Sequence, residues 1–218
     1  MFHQRVFQLI GLRTEARIYS VFMVNPPDTG TAPTGKPGPL EQVELRDWWD
    51  CDDAVQRTVL DWADHLMVPS HAGRSMIAWV VFNSRTSESD GAAQQSVHSW
   101  VVYAHGAPIA FLGASIRARW SPPDEFTPVG SDVEVPGPVM SFNTLVDPAE
   151  WGKGYSAAAK SLAVHHPATR HVVTCHAEIR TDNDRSLKAL NKIRGVRTIG
   201  TAVSNGYLWS HFVWPRHL

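Results

Sequence analysis

Cysteine is nearly absent from this 218-residue chain: Cys51 and Cys175 are the only two, and they form no CxxC pair. That scarcity excludes a disulfide scaffold and a zinc knuckle, and it fits a reducing compartment. Net charge is lacking too. Twenty Lys and Arg stand against 21 Asp and Glu, a formal charge of −1. At whole-chain level nothing therefore draws the protein to nucleic acid or to an anionic membrane. No apolar run reaches the roughly 18 residues of a membrane-spanning helix. Residues 6–12 are too short and too interrupted for a signal peptide. Taken together, these absences lead to the expectation of a cytoplasmic protein with no membrane contact.

What the chain does have is one ordinary domain's worth of sequence. Residues 1–39 read as an N-terminal extension: two strand-like pieces, 6–12 and 17–24, and then a Pro-, Gly- and Thr-rich linker at 25–39. Met23 offers an alternative start. Inside the linker, Gly30-Thr31-Ala32-Pro33-Thr34-Gly35-Lys36 has the spacing of a phosphate-binding P-loop. Pro37 occupies the position that needs a Mg²⁺-binding hydroxyl, and it blocks the helix that must follow, so this is a decoy.

A compact domain is expected over 40–218. Its pattern predicts strands at 42–48, 76–82, 98–104, 108–116, 139–146, 171–179, 197–202 and 207–214. Helices are predicted at 52–66, 155–165 and 184–193. A second proline-rich loop, 119–138, is expected to overlie the active face. Nine tryptophans, at 48, 49, 62, 79, 100, 120, 151, 209 and 214, read either as bulky strand and core residues or, for one or two of them, as walls of an acceptor pocket.

The most informative stretch joins strand 139–146 to helix 155–165. Val146-Asp147-Pro148 ends the strand, and Gly152 and Gly154 shape a turn in front of a small-residue helix. The first N–H groups of a helix have no partner within it, so such a turn is a seat for phosphate. About thirty residues downstream, Asn183-Asp184-Arg185-Ser186-Leu187-Lys188-Ala189-Leu190 sets a capping Asn before a second helix.

In that order, the two motifs resemble the GCN5-related N-acetyltransferase (GNAT) superfamily over residues 140–201, in a flavour similar to the ribosomal-protein N-acetyltransferase group. Gly154 matches the family's central glycine, whereas Trp151 and Ser156 depart from its pattern. The resemblance implies an α+β fold. Its mixed, mostly antiparallel sheet of six to seven strands would carry a splayed parallel pair and be flanked by helices. It also implies acetyl-CoA as cosubstrate, no metal, and direct acetyl transfer to a primary amine of a small molecule or a protein N-terminus. A homodimer is an allowed state of assembly.

By the same resemblance, Trp151, Gly152, Lys153, Gly154, Tyr155 and Ser156 hold the CoA diphosphate. Leu145 and Val146 pair with the pantetheine arm, and Asn183 and Ser186 meet it from the far side. The family's usual carboxylate is missing from Ser141-Phe142-Asn143-Thr144. The base then falls to Glu178, which shares a strand face with His176 because residues two apart point the same way. Capping, or a salt bridge near Arg180, is the competing role for Glu178, and Asp132 and Glu134 are further candidates. Leu190 replaces the family's Tyr, which leaves Tyr155 and Ser186 as hydroxyls that can protonate the leaving thiolate. Two rivals accompany this reading: an acyl-CoA-binding module without turnover, and a base-modifying enzyme, which the charge balance disfavours.

Overall fold

The computed structural model describes residues 43–66, 71–86, 96–130 and 133–216. The strand-like pieces at 6–12 and 17–24, the linker and its P-loop decoy lie outside the described residues, as does Asp132.

Strand β1 (Val43–Asp47) leads through a short 3-10 turn into helices α1 (Asp53–Leu66) and α2 (His71–Thr86). The hairpin β2 (Ser96–Ala104) and β3 (Ala107–Arg117) follows. After it come β4 (Thr127–Pro128), β5 (Val139–Val146), α3 (Tyr155–His165), β6 (Thr174–Arg180) and α4 (Asp184–Leu190). A last hairpin, β7 (Arg197–Ser204) and β8 (Tyr207–Pro215), closes the domain. The eight strands form one sheet in the order β1-β2-β3-β5-β6-β8-β7-β4. Every neighbouring pair is antiparallel except β5–β6. The eighth strand, beyond the six to seven expected, is the two-residue β4 inside the 119–138 loop.

The expected strand at 76–82 is instead the middle of α2. Its run of Ile, Trp, Val and Phe has strand composition, but Met76, Ile77, Val80 and Val81 are the buried members. That i, i+1, i+4, i+5 spacing is helical, so packing overrides propensity. Phe82 is left exposed. The helix beds closely on the sheet: a Cβ at Gly113 of β3 would come within 3.0 Å of Val80. Glycine is needed there for close approach.

Two cores result, one on each face. On one face, α3 packs over β1, β3 and β5. Ala159, Ala163 and Val164 there meet Leu112, Met140, Phe142, Val146, Ala177 and Trp214. On the other, α1 and α2 cover β2, β3 and β5 with Trp62, Ile77 and Val80 against Val101, Phe111 and Leu145. Over the β6–β8–β7 half of that second face, the loop residues 118–130 and 133–138 take their place. They are strapped to the sheet edge by β4 pairing with β7, by Val129 N–H donating to the Ile199 carbonyl at 2.9 Å, and by Arg197 donating to the Glu134 carbonyl. A Cβ on Gly200 would overlap Phe126 and the Thr127 carbonyl, so this glycine lets the loop lie flat on β7. No helix among the described residues is long and apolar enough to cross a membrane.

Candidate active site

The parallel pair β5–β6 is joined over only three residue pairs: Val139 with Thr174, Met140 with Cys175 and Ser141 with His176. Beyond Ser141 the two strands part. On its other edge β5 stays paired with β3 along its whole length, from Val139 to Val146. Asp147 N–H donates to the Ile109 carbonyl at 2.9 Å, which fixes the phase of that ladder. Antiparallel bonding pairs alternate, so Leu145 and Asn143 turn their peptide groups to β3. Phe142, Thr144 and Val146 turn theirs into the gap.

Of the two residues expected to line the gap, Val146 does so through its main chain, and its carbonyl accepts from Trp151 Nε1 at 3.0 Å. Leu145 is buried on the α1–α2 side, against Val59 and Phe111 among others.

At the open end of the gap lies the glycine turn. Gly152 and Gly154 have φ of 80° and 89°, a conformation that glycine enters without penalty. Gly154 is the N-cap of α3 and provides no capping side chain. The helix ladder begins with Ala157 and Ala158 N–H donating to the Gly154 carbonyl, ahead of which stand the N–H groups of Tyr155 and Ser156. The helix dipole adds positive potential there.

Lys153, expected to add charge, is tied to Glu150 at 2.9 Å. A cation that sequence reasoning missed is Arg185, whose guanidinium lies 3.7 Å from the centre of the Trp151 ring. Lys160 donates to Ser156 Oγ at 2.7 Å, and burial pulls its ammonium down to about 8. Asn183 caps α4, its Oδ1 accepting from Ser186 N–H at 3.2 Å, which brings those two expected residues together. Tyr155 is buried in the core beneath the turn.

On the opposite face, at the vertex where the strands part, four polar side chains form a chain. Ser141 Oγ lies 3.0 Å from His176 Nδ1, His176 Nε2 lies 3.3 Å from His211 Nδ1, and His211 Nδ1 lies 3.9 Å from Glu178 Oε2. The strand register builds this cluster. Ser141 faces His176 across β5–β6, and Glu178 faces His211 across β6–β8. Both imidazoles are nearly sealed, at 5% and 2% exposure. Burial, reinforced by the neighbouring His211 and Arg117, pushes His176 down to about 3, and burial pushes His211 down to about 4. Each ring is therefore neutral near pH 7, with one N–H to give and one lone pair to receive.

Trp120 and Phe126 from the covering loop stand over the cluster, their rings 5.9 Å and 5.5 Å from His176 and His211 respectively. Arg180 pairs with Asp182. Glu134 is exposed on the covering loop. Sequence reasoning found Glu178 and His176 through strand alternation. It missed Ser141 and His211, although a histidine inside the apolar run 207–214 was a signal. Among the described residues no group of three or more His, Cys, Asp or Glu is placed to hold a metal ion.

Solved structures share this architecture at low identity. A spermidine N-acetyltransferase chimera from Vibrio cholerae and hSSAT aligns over 80% of this chain and 96% of its own, with a TM-score of 0.53 and 12% identity. Aminoglycoside acetyltransferase AAC(6')-Ib in complex with ribostamycin and coenzyme A gives 0.53 and 15% over 80% and 94%. An aminoglycoside N(6')-acetyltransferase from Legionella pneumophila gives 0.54 and 13% over 80% and 92%. No protein-family model and no curated protein matches the sequence. The chain thus has the GNAT acetyltransferase fold, a mixed sheet with one splayed parallel pair.

Proposed function

We propose that the protein is an acetyl-CoA-dependent N-acetyltransferase acting on a primary amine of a small molecule. The observation that carries this reading is the β5–β6 gap, which has a phosphate-ready helix start at its open end and a polar relay at its vertex. Acetyl-CoA lies in the gap as cosubstrate. The N–H groups around Gly154, Tyr155 and Ser156 grip its diphosphate, and the peptide groups of Thr144 and Val146 run alongside its arm.

The acceptor enters from the opposite face, under Trp120 and Phe126. These aromatic walls favour a small, partly apolar amine over an extended peptide N-terminus. Before it attacks, the amine must lose a proton. Glu178, as its carboxylate, takes that proton, with neutral His211 and His176 holding the acceptor side by hydrogen bonds. The amine nitrogen then bonds to the thioester carbon and the C–S bond breaks, while the surplus proton on that nitrogen passes through water to the departing sulfur, leaving an amide and the thiol of coenzyme A. A structural neighbour held in complex with both ribostamycin and coenzyme A supports the pairing of this cosubstrate with a small-molecule acceptor.

The test is thiol release from acetyl-CoA over a panel of small amines and one peptide with a free N-terminus. Release with at least one small amine is expected, and Glu178→Gln should lower kcat/KM about 100-fold while leaving CoA affinity unchanged. Binding of acetyl-CoA without release on any acceptor would instead make the protein an acyl-CoA-binding module.

A further inference from the structure

Thr144 Oγ1 is the one side-chain polar atom among the described residues that is sealed from solvent and has no hydrogen-bond partner. Its place makes this informative. Thr144 is on β5 three residues past the vertex, in the section that β6 no longer covers. Its peptide groups face the gap, by the phase of the β3 ladder established above. Its side-chain neighbours along the same strand face, Phe142 and Val146, are buried apolar residues of the α3-side core.

Strand propensity does not explain a hydroxyl here. Valine has the same branched shape, suits a strand equally well and carries no polar atom to bury. A buried hydroxyl without a partner costs folding free energy, and native proteins leave few such groups. Thr144 as a residue is nonetheless only part-buried, so what reaches solvent is not the oxygen. A 120° step in χ1 carries Oγ1 to another staggered position, so the hydroxyl can turn toward a ligand without any movement of the backbone.

We infer that Thr144 is a side-chain hydrogen-bonding partner of the amide-bearing arm of acyl-CoA, gripping it beside the main chain of β5. The inference rests on the proposed placement of acetyl-CoA in the β5–β6 gap. A hydroxyl both donates and accepts, so it matches either edge of an amide. Main-chain pairing fixes the direction of the arm, while one side-chain bond fixes how far along the strand each amide sits. Thr144 is thereby a positioning residue for the thioester at the vertex, and it leaves the proton transfer near Glu178 untouched.

The experiment compares wild type, Thr144→Val and Thr144→Ser by calorimetric titration with coenzyme A and by thermal melting without ligand. Thr144→Val is expected to bind coenzyme A about 5- to 10-fold more weakly, the worth of one net hydrogen bond. Its ligand-free Tm should equal or exceed that of wild type, because no protein partner is lost. Thr144→Ser keeps the hydroxyl and should bind within about threefold of wild type by the same reckoning.

Wild-type affinity in Thr144→Val overturns the inference while leaving the cofactor site in place. A ligand-free Tm several degrees lower in Thr144→Val also overturns it, by giving the hydroxyl a purely structural role. A wild-type protein that binds no coenzyme A refutes the cofactor reading itself.

Discussion

His176 and His211 show how burial sets the chemistry of a single residue. An exposed imidazole titrates near 6.5, but these two, pressed under Trp120 and Phe126, are held to about 3 and about 4. Burial likewise lowers His98, on β2. The consequence for stability has a definite sign. Between the folded and unfolded pKa values the unfolded chain binds protons that the native state refuses, so stability rises with pH. It is complete above about 6.5 and drains away as pH falls toward 4. Between pH 5 and 6 these two rings alone should contribute a slope of nearly two protons, about 2.5 kcal/mol per pH unit, in denaturant titrations, and His98 adds to it with the same sign. A slope near zero there would show that the two rings are not buried neutral. At this scale the sequence disclosed Glu178 and His176, because alternation along one strand is local. Ser141, His211 and Trp120 join them only through the pairing of strands far apart in the chain, and single-strand patterns carry no record of that pairing.

Among the elements, legibility followed what marked each one's ends. β5 and α3 match the expected 139–146 and 155–165 because Pro148, the two glycines and Pro167 punctuate them. The expected strand 171–179 begins three residues later and ends one later, at Thr174–Arg180, since the 3-10 turn Pro167–Thr169 takes up the approach. α2 was the clear miss. Its β-branched run fits either period until Gly113 and the buried face of the sheet are known, and only contact with β3 decides the matter. That contact can be tested. Gly113→Val would drive a side chain into Val80, and overpacking of this kind typically costs 1–3 kcal/mol. Urea unfolding should show a loss in that range, whereas unchanged stability would mean that α2 does not bed on β3 as described. β4 lay hidden for a different reason: two residues with Pro128 among them have no strand signature, and only the pairing with β7 defines them.

Across the whole molecule, the sheet works as a partition. Its parallel strands part after Ser141, and the two faces take different tasks. The α3 face presents the turn at Gly152–Gly154 and the orphaned Thr144 hydroxyl, while the other gathers Ser141, His176, His211 and Glu178 beneath an aromatic strap. The gap is what connects them. A nucleotide-bearing thioester held on one side can be met by an amine arriving from the other, and the two reactants need not share an entrance. The near balance of charge across the chain agrees with a small acceptor rather than nucleic acid.

Thermal melting with saturating acetyl-CoA tests this account most directly. Ligand at about 100 times its Kd stabilises the native state by about 2.7 kcal/mol, which for a domain of this size raises Tm by roughly 5–10 °C. The wild-type protein should show that rise. Gly154→Val, which forces a β-branched residue into a backbone with φ of 89° at the start of α3, should lose it. An unmoved Tm in the wild type, or an equal rise in Gly154→Val, would contradict the claim that the turn and the β5–β6 gap together hold acetyl-CoA.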